Sequence, residues 1–417
     1  MQFVIKGPNR LQGTVKVSGS KNAVLPILAA SLLCDGTTVI QGVPRLKDVA
    51  VMCEVLQHLA VKSGWEGDNL NIDTSAIRLE EVSEDLMRRM RASCLVLGPL
   101  LARFGRAKIS QPGGCNIGSR PIDLHLKGLR LLGAEIKERS GYIMAEAGKL
   151  RGAEIHLDVP SVGATENLMM AAVFASGTTV IGNAAKEPEI VDLQNFLNRA
   201  GAKIRGAGTH TIRIEGVKSL HGPRGHRVIP DRIEAGTHII AAALAGETVV
   251  VENVIPEHVE PLLAKLREAG GMFSIEGDAI RVQRQEELKA VDIRTMPYPG
   301  FPTDLQPLIC VFLTVAEGTS VVTETVFENR FKHVAELRRM GADIHVEGRT
   351  VIIRGVRQLS GAHIVAPDLR AGAALVLAGL ISENSTVIED IEHIDRGYEN
   401  LEGKYRSLGA MIERVVS

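Results

Sequence analysis

The sequence is poor in aromatics, in unbalanced charge and in long apolar runs. Phe, Trp and Tyr make up only 3% of its 417 residues, which argues against the stacking platform of a single-strand nucleic-acid binder. Lys plus Arg number 48 against 49 Asp plus Glu, for a net charge of −1, so no basic footprint advertises nucleic acid. The longest apolar runs, residues 23–34 and 305–316, are about 12 residues long, too short to span a bilayer. The opening Met1-Gln-Phe-Val-Ile-Lys6 lacks the basic-then-apolar pattern of a signal peptide. The five cysteines (Cys34, Cys53, Cys94, Cys115 and Cys310) are odd in number and never in CxxC spacing, so neither a disulfide framework nor a zinc ribbon is expected. A reducing cytoplasm is the expected location. P-loop, HExxH, GxSxG and EF-hand patterns are missing as well.

What is present is a globular composition, 45% apolar and 23% charged, with 42 glycines. At roughly 150 residues per domain the length suggests two or three domains. Self-similarity supplies the organisation. Leu132-Gly133-Ala134-Glu135-Ile136 returns at Ala200-Gly201-Ala202-Lys203-Ile204, Met340-Gly341-Ala342-Asp343-Ile344 and Leu408-Gly409-Ala410-Met411-Ile412, with weaker copies at Ala60-Val61 and Gly270-Gly271. The anchors 60, 133, 201, 270, 341 and 409 lie 68 to 73 residues apart. A second marker keeps the same period: Gly36-Thr37-Thr38-Val39-Ile40, Gly105-Arg106-Ala107-Lys108-Ile109, Gly177-Thr178-Thr179-Val180-Ile181, Gly246-Glu247-Thr248-Val249-Val250, Gly318-Thr319-Ser320-Val321-Val322 and Asn384-Ser385-Thr386-Val387-Ile388.

Each unit reads physically. Apolar segments such as 25–33, 168–175 and 238–244 precede the Gly-Thr marker and predict buried helices. The glycine is expected to cap the helix in the left-handed conformation, and the β-branched residues after it predict a strand. Amphipathic helices follow, as at 191–200 and 260–269, each closing on Gly before another strand. Gly206-Ala-Gly208 reads as a hairpin turn. The expected fold class is α/β, with six repeated units of about 70 residues, three per domain. The segment 220–227, rich in Gly, Pro and basic residues, reads as a hinge. The cut between two domains of three units each is expected around 226–229, with a ligand expected in a cleft between the lobes.

Three sets of residues could carry chemistry. Gln111-Pro-Gly-Gly-Cys115-Asn-Ile-Gly-Ser-Arg120-Pro-Ile-Asp123-Leu-His125 is a breaker-rich loop holding a thiol near a cation. It fits a reactive cysteine of lowered pKa, or an inert surface one. The other cysteines sit in apolar segments and read as core. Cations recur at element ends in Ser18-Gly-Ser-Lys21-Asn22, Met90-Arg91-Ala92-Ser93, Pro230-Asp231-Arg232, Glu328-Asn329-Arg330, Asp368-Leu369-Arg370 and Asp395-Arg396-Gly397. Converging, they would bind an anionic substrate; singly, each reads as a surface ion pair. Finally, Gly300-Phe-Pro-Thr-Asp304-Leu-Gln306 puts an Asp before an apolar helix. That pattern favours an N-cap over a general base.

Together these motifs resemble the UDP-N-acetylglucosamine enolpyruvyl transferase family along nearly the whole chain. The resemblance also draws on Pro160-Ser161-Val162-Gly163-Ala164-Thr165, Pro302-Thr303-Asp304, Thr325-Val326-Phe327-Glu328-Asn329-Arg330 and His393-Ile394-Asp395-Arg396-Gly397-Tyr398. It departs at Asp158-Val159-Pro160, where some relatives carry a Lys, so no sugar-nucleotide contact is carried to that position. The resemblance implies two inside-out α/β barrel domains, each of three βαβαββ-type repeats with helices inside and sheets outside, at 21–228 and at 1–20 plus 229–417, crossed by the chain near 19–21 and 227–230. It implies transfer of the enolpyruvyl group of phosphoenolpyruvate to the sugar 3-hydroxyl with release of phosphate, by addition and elimination through a tetrahedral intermediate.

The roles are carried over position by position. Cys115 would protonate the methylene carbon, and Asp304 would take the hydroxyl proton. Lys21, Arg120 and Arg396 would clamp the phosphate and carboxylate, with Arg91, Arg330 and Arg370 supporting the anionic site. Asn22, Arg91, Arg120, Pro121, Ile122, Asp123, Leu124, Asp304 and Val326 match positions that touch the UDP-sugar. No metal and no organic cofactor is implied. The partners are the two small substrates, with no nucleic acid and no membrane. A cytoplasmic step of peptidoglycan precursor synthesis, with consequences for cell shape and division, and alkylation of Cys115 by fosfomycin are implied too, as is domain closure driven by the sugar nucleotide. Two rivals remain: a 5-enolpyruvylshikimate-3-phosphate synthase-like transferase, which lacks the Pro-Gly-Gly-Cys loop, and a non-catalytic paralogue that senses sugar nucleotide.

Overall fold

The small-residue markers sit where the backbone demands them. In a computed structural model describing residues 1–79, 86, 89–111, 122–285 and 287–416, all six anchors have positive φ, from 59° at Ala60 to 109° at Gly201. A Cβ is strained there and glycine is not, which explains why five of the six are glycine. The second marker is less uniform. Gly36, Gly105, Gly177 and Gly318 are left-handed, and Asn384 tolerates the same conformation at φ 68°. Gly246 departs from the expectation, with φ −82°, because its helix runs straight into the strand. Gly105 caps its helix directly in the left-handed conformation and Gly246 directly in an extended one; the other four markers turn the chain into the strand a few residues after the helix.

Twelve α-helices are described: α1 Lys21–Ala30, α2 Lys47–His58, α3 Leu97–Phe104, α4 Asp123–Leu131, α5 Val162–Ala172, α6 Pro188–Arg199, α7 Arg232–Ala245, α8 Pro256–Glu268, α9 Gln306–Thr314, α10 His333–Arg339, α11 Leu369–Ile381 and α12 Leu401–Ser407. They alternate in character. The odd-numbered helices are apolar around most of their surface and lie inside. Thirteen of the fourteen residues of α7 are buried, so that helix is surrounded on every side. The even-numbered helices bury one stripe, as α6 does with Ile190, Leu193, Phe196 and Leu197.

The third repeat shows the plan. Strand Glu154–His156 pairs parallel with Thr178–Gly182, which pairs antiparallel with Thr211–Glu215, itself antiparallel to Lys203–Arg205. Helix α5 fills the first crossover and α6 the second, giving βαβαββ. Each strand turns alternate residues inward; in Thr178–Gly182 these are Thr179 and Ile181. Gly206 and Gly208, both at positive φ, lie between the two strands of the final hairpin as the sequence suggested.

The chain divides into two compact units. One holds Met1–Ser18 and Pro230–Ser417, and the other the described residues from 19 to 229. Each has its own apolar core. In the first, α7, α9 and α11 pack on one another. Its sheets are completed from the far end of the chain: Gln2–Gly7 lies between Asn384–Glu389 and Ile412–Val415, and Leu11–Lys16 runs parallel to Gly246–Glu252. The 19–229 unit completes its first sheet with Arg224–Arg227, parallel to Thr37–Gln41. The segment read as a hinge is therefore sheet. His226 is buried, and a register shift between Arg224 and His226 accommodates Gly225, at φ 121°. Among the described residues no helix is long and apolar enough to cross a membrane.

Candidate functional site

In the 19–229 unit, Lys21 opens α1, which is capped by Ser20 accepting the Ala23 N–H at 3.3 Å. The helix dipole disfavours a cation at this end, by about 0.3–1 kcal/mol. Asp48, in the first turn of α2, supplies the compensation, with its Oδ2 2.6 Å from Lys21 Nζ. Both side chains are nearly buried, at 11% and 4% exposure, so the pair is weakly screened. Asn22 is half-buried beside Lys21. Ile122 precedes α4, which opens with exposed Asp123 and half-buried Leu124. Cys115, Arg120 and Pro121 lie outside the described residues, as does the side chain of Arg91.

One residue that sequence reasoning missed ties these segments together. Asn167, buried on α5, accepts the Gly98 N–H at 2.6 Å. Its amide donates to the Cys94 carbonyl at 3.0 Å and meets His125 Nδ1 at 3.1 Å. It thereby joins α5 to the 3-10 turn Arg91–Val96 and to α4. Position 98 must be glycine, since a Cβ there would lie 2.3 Å from Asn167 Oδ1.

In the other unit the charges are grouped differently. Asp304 lies within a 3-10 turn, Thr303–Leu305, whose cap position is Pro302, so the N-cap reading is corrected. Its carboxylate instead receives Arg330 Nη2 at 2.7 Å on Oδ1, and Arg370 Nη2 at 3.2 Å and Nε at 3.3 Å on Oδ2. Both arginines are buried, while Asp304 is about a quarter exposed. Arg330 and Arg370 thus direct their charge at Asp304, a narrower task than general support of an anionic site. Burial works against the Arg370 charge, but Asp304, Tyr398 and Asp231 outweigh it and hold the guanidinium firmly protonated.

The surroundings of Arg370 are built to keep it in place. Asp368 caps α11, accepting the Arg370 and Ala371 N–H groups at 3.0 Å. The guanidinium carbon lies 5.4 Å from the Tyr398 ring centroid. The Thr237 hydroxyl donates to the Ile233 carbonyl, so at 2.8 Å the Tyr398 hydroxyl is the donor to Thr237. Burial pushes both Tyr398 and Asp231 up. Asp231 caps α7 through the Ile233 and Glu234 amides, at 2.8 and 3.0 Å.

Arg396 ends the 3-10 turn Ile391–Arg396 and is half-buried. Its neighbour Asp395 is gripped by Arg414, with Nη2 at 2.7 Å and Nη1 at 3.0 Å, and Arg414 also bonds Glu402. Val326 is exposed in the loop after strand Thr319–Thr323. The structure thus brings Asp304, Arg330 and Arg370 together and gives Lys21 a buried acid. The partners Asp48 and Arg414 carried no local signal, being ordinary residues remote in sequence from the groups they hold, and Tyr398 stood in the motif at 393–398 without a role assigned to it. A hollow of about 400 Å³ beside α8, lined by Pro261, Lys265, Arg294 and Phe301 among others, contains none of the predicted site residues. No cluster of three metal-ligating side chains occurs among the described residues.

Comparison with known proteins agrees with this architecture. Residues 5–405 match the family described as EPSP synthase (3-phosphoshikimate 1-carboxyvinyltransferase). The chain is 57% identical over 414 residues to UDP-N-acetylglucosamine 1-carboxyvinyltransferase 1 of Carboxydothermus hydrogenoformans, covering 99% of this chain and 98% of that one. It is 55% identical over 416 residues to UDP-N-acetylglucosamine 1-carboxyvinyltransferase 2 of Caldanaerobacter subterraneus subsp. tengcongensis, with 100% of both chains covered. Among solved structures, the enolpyruvyl transferase NikO from Streptomyces tendae superposes with a TM-score of 0.90 at 26% identity, covering 100% of this chain and 99% of that one. An EPSP synthase from Acinetobacter baumannii shares the fold, with a TM-score of 0.76 at 20% identity and 99% of each chain covered. Among the described residues, five four-stranded sheets and one three-stranded sheet surround the inner helices; together with full-length identity above one half to named carboxyvinyltransferases and the match of residues 5–405 to the family, this establishes that the chain belongs to the enolpyruvyl transferase family.

Proposed function

We propose that the protein transfers the enolpyruvyl group of phosphoenolpyruvate to the 3-hydroxyl of UDP-N-acetylglucosamine, releasing phosphate, as a step of peptidoglycan precursor synthesis. The observation that carries this reading is the 57% identity, across 99% of the chain, to an enzyme named for that transfer. Similarity to EPSP synthase structures, at 20% identity, supports the fold alone.

The proposed chemistry uses the residues as follows. Asp304 takes the proton of the sugar hydroxyl, whose oxygen then bonds to C2 of phosphoenolpyruvate. The Cys115 thiol delivers a proton to C3, giving the tetrahedral intermediate. In the second half C3 gives a proton back to the Cys115 thiolate, the C2–O bond to phosphate breaks, and phosphate leaves, the proton taken by Asp304 passing through solvent to the departing phosphate. Proton transfers of this kind are typically worth about 10²–10⁴ in rate. Lys21, Arg120 and Arg396 pair with the phosphate and carboxylate of the donor, and Arg91 with Asn22, residues 120–124 and Val326 receives the sugar nucleotide. Arg330 and Arg370 hold Asp304 in place, in keeping with their 2.7 Å and 3.2 Å bonds to its carboxylate. Cys115 lies in the catalytic-loop domain, proposed as residues 21–228, and Asp304 in the domain formed by 1–20 and 229–417. A reducing cytoplasm is the proposed location; Cys34, Cys53, Cys94 and Cys310 are free thiols.

The test is phosphate release with both substrates, with each omitted, and with shikimate 3-phosphate as acceptor. Release only when phosphoenolpyruvate and UDP-N-acetylglucosamine are both present is the expected result. Release with shikimate 3-phosphate instead would establish the other acceptor, and none with either would make the protein a non-catalytic paralogue. Intact-mass spectrometry after fosfomycin should show a single adduct at Cys115, abolished in Cys115→Asp.

A further inference from the structure

A carboxylate outside the proposed chemistry links two of the segments that carry it. Glu324 lies just after strand Thr319–Thr323, is 1% exposed, and pairs with no cation among the described residues. It is satisfied entirely by hydrogen bonds from three directions. Oε1 accepts the Val326 N–H at 2.7 Å, the Phe327 N–H at 3.2 Å and the Thr295 hydroxyl at 2.8 Å. Oε2 accepts the Thr303 hydroxyl at 2.9 Å. One oxygen therefore shapes the turn that presents Val326, and the other holds the residue next to Asp304.

The link is stitched from both sides. Thr325 donates through its amide to Thr295 Oγ1 at 2.9 Å and through its hydroxyl to the Thr295 carbonyl at 2.6 Å. The Glu324 amide donates to the Arg349 carbonyl at 2.8 Å. Arg330 closes the circuit, because its Nε reaches the Thr303 carbonyl at 3.3 Å while its Nη2 holds Asp304. A buried carboxylate is costly to desolvate unless its lone pairs are filled. Here four donors fill them: the Val326 and Phe327 amides of one turn, the Thr303 hydroxyl of the other, and the Thr295 hydroxyl beside both.

We propose that Glu324 is a positioning residue for the transfer: through Thr303 and the Val326 and Phe327 amides it fixes the Asp304 turn against the Val326 turn, so that base and acceptor sugar are held in one register. The inference rests on the roles proposed above for Asp304 and Val326. Glu324 touches neither substrate. It acts by limiting where Asp304 can sit, and displacements of about 1 Å at such a group cost on the order of 10² in rate.

The variants separate the two arms. Thr303→Val cuts only the Oε2 arm and should lower kcat about tenfold, with KM for UDP-N-acetylglucosamine changed less than about threefold. Thr303→Ser restores the hydroxyl and should recover most of the loss. In Glu324→Gln the amide oxygen can keep the three Oε1 donors while its NH₂ donates to Thr303, whose hydroxyl turns to accept, so most activity should remain. Glu324→Ala releases both turns, lowering kcat and raising that KM. Glu324→Ala/Thr303→Val should be no worse than Glu324→Ala alone, since both sever one connection. Wild-type kcat in Thr303→Val, or multiplying effects in the double variant, would overturn the proposal. If Glu324→Ala does not fold, the Thr303 pair decides.

A wild-type protein that releases no phosphate would sink the proposed reaction, but leaves this link open to a turnover-free measurement. Amide exchange should accelerate at Leu305 in Thr303→Val, and at Leu305, Val326 and Phe327 together in Glu324→Ala. Unchanged protection at Leu305 in Thr303→Val would overturn the link whatever reaction the protein performs.

Discussion

Two buried glutamates near the starts of inner helices, Glu166 on α5 and Glu234 on α7, have opposite surroundings. Glu166 has Glu189 and Glu187 for neighbours, and its Oε1 has no hydrogen-bond partner. Burial, reinforced by those two acids, pushes its carboxyl well above the usual range. Glu234 is as deeply buried, and burial alone would raise it as well. The His238 bond at 3.2 Å and the Lys404 ammonium outweigh that and hold it down at about 2. The same contrast runs through the two units. In the 19–229 unit one acid answers one cation, Asp48 to Lys21; in the other, two arginines converge on Asp304. Burial alone does not decide whether an acid is charged: the cations and hydrogen-bond donors delivered to it do.

The largest expected effect tests the group with the most cations. Asp304→Ala should lower kcat by about 10²–10⁴ through loss of the proposed base. It should also destabilise by about 3 kcal/mol, because Arg330 and Arg370 stay buried without their shared acid and an arginine cannot shed its proton. Phosphate release and urea unfolding read the two separately. Asp48→Ala should cost less, about 2 kcal/mol, since the lysine it strands can deprotonate. A larger stability loss in Asp48→Ala than in Asp304→Ala would reverse the comparison.

These two acids also show what was legible beforehand. The repeats could be read because positive φ at 60, 133, 201, 270, 341 and 409 narrows the choice of residue at each. Asp304 was misread because an N-cap and an ion-pair acceptor have the same local sequence, and its arginines arrive from 26 and 66 residues away. Asp48 was invisible for the same reason. The strand Arg224–Arg227 passed for a hinge because a bulge needs the glycine that a linker would also use.

The glutamate pair yields a smaller, signed effect. Glu234, depressed from its usual 4.5 to about 2, contributes stability that is complete above pH 4.5 and lost as pH falls toward 2. Glu166, raised, contributes stability that is complete below pH 4.5 and lost as pH rises through its folded pKa. Glu234→Gln should therefore lower the urea midpoint at pH 7, with the difference shrinking in acid. Glu166→Gln should raise the midpoint at pH 8 and leave it unchanged near pH 4. Parallel shifts in both variants would show that the two environments are equivalent.

The smallest effect concerns the backbone. Ala60 carries at φ 59° the strain that glycine avoids at the other five anchors. Ala60→Gly should stabilise by at most about 1 kcal/mol, because relief of strain is partly offset by the freer unfolded chain. Gly341→Ala, at φ 91°, should destabilise by about as much or more. A destabilised Ala60→Gly would mean that the methyl packs better than the backbone argument allows.

Strand Gln2–Gly7 finds its two partners at Asn384–Glu389 and Ile412–Val415. On the ribosome, this strand must wait for partners made about 380 to 410 residues later. The 19–229 unit has all its described pairing partners within its own span and can settle while synthesis continues. Phe3 and Ile5, fully buried at the end, stay uncovered through that interval. A chaperone that holds this strand during synthesis would thus matter more for this protein than for one whose strands are matched by near neighbours.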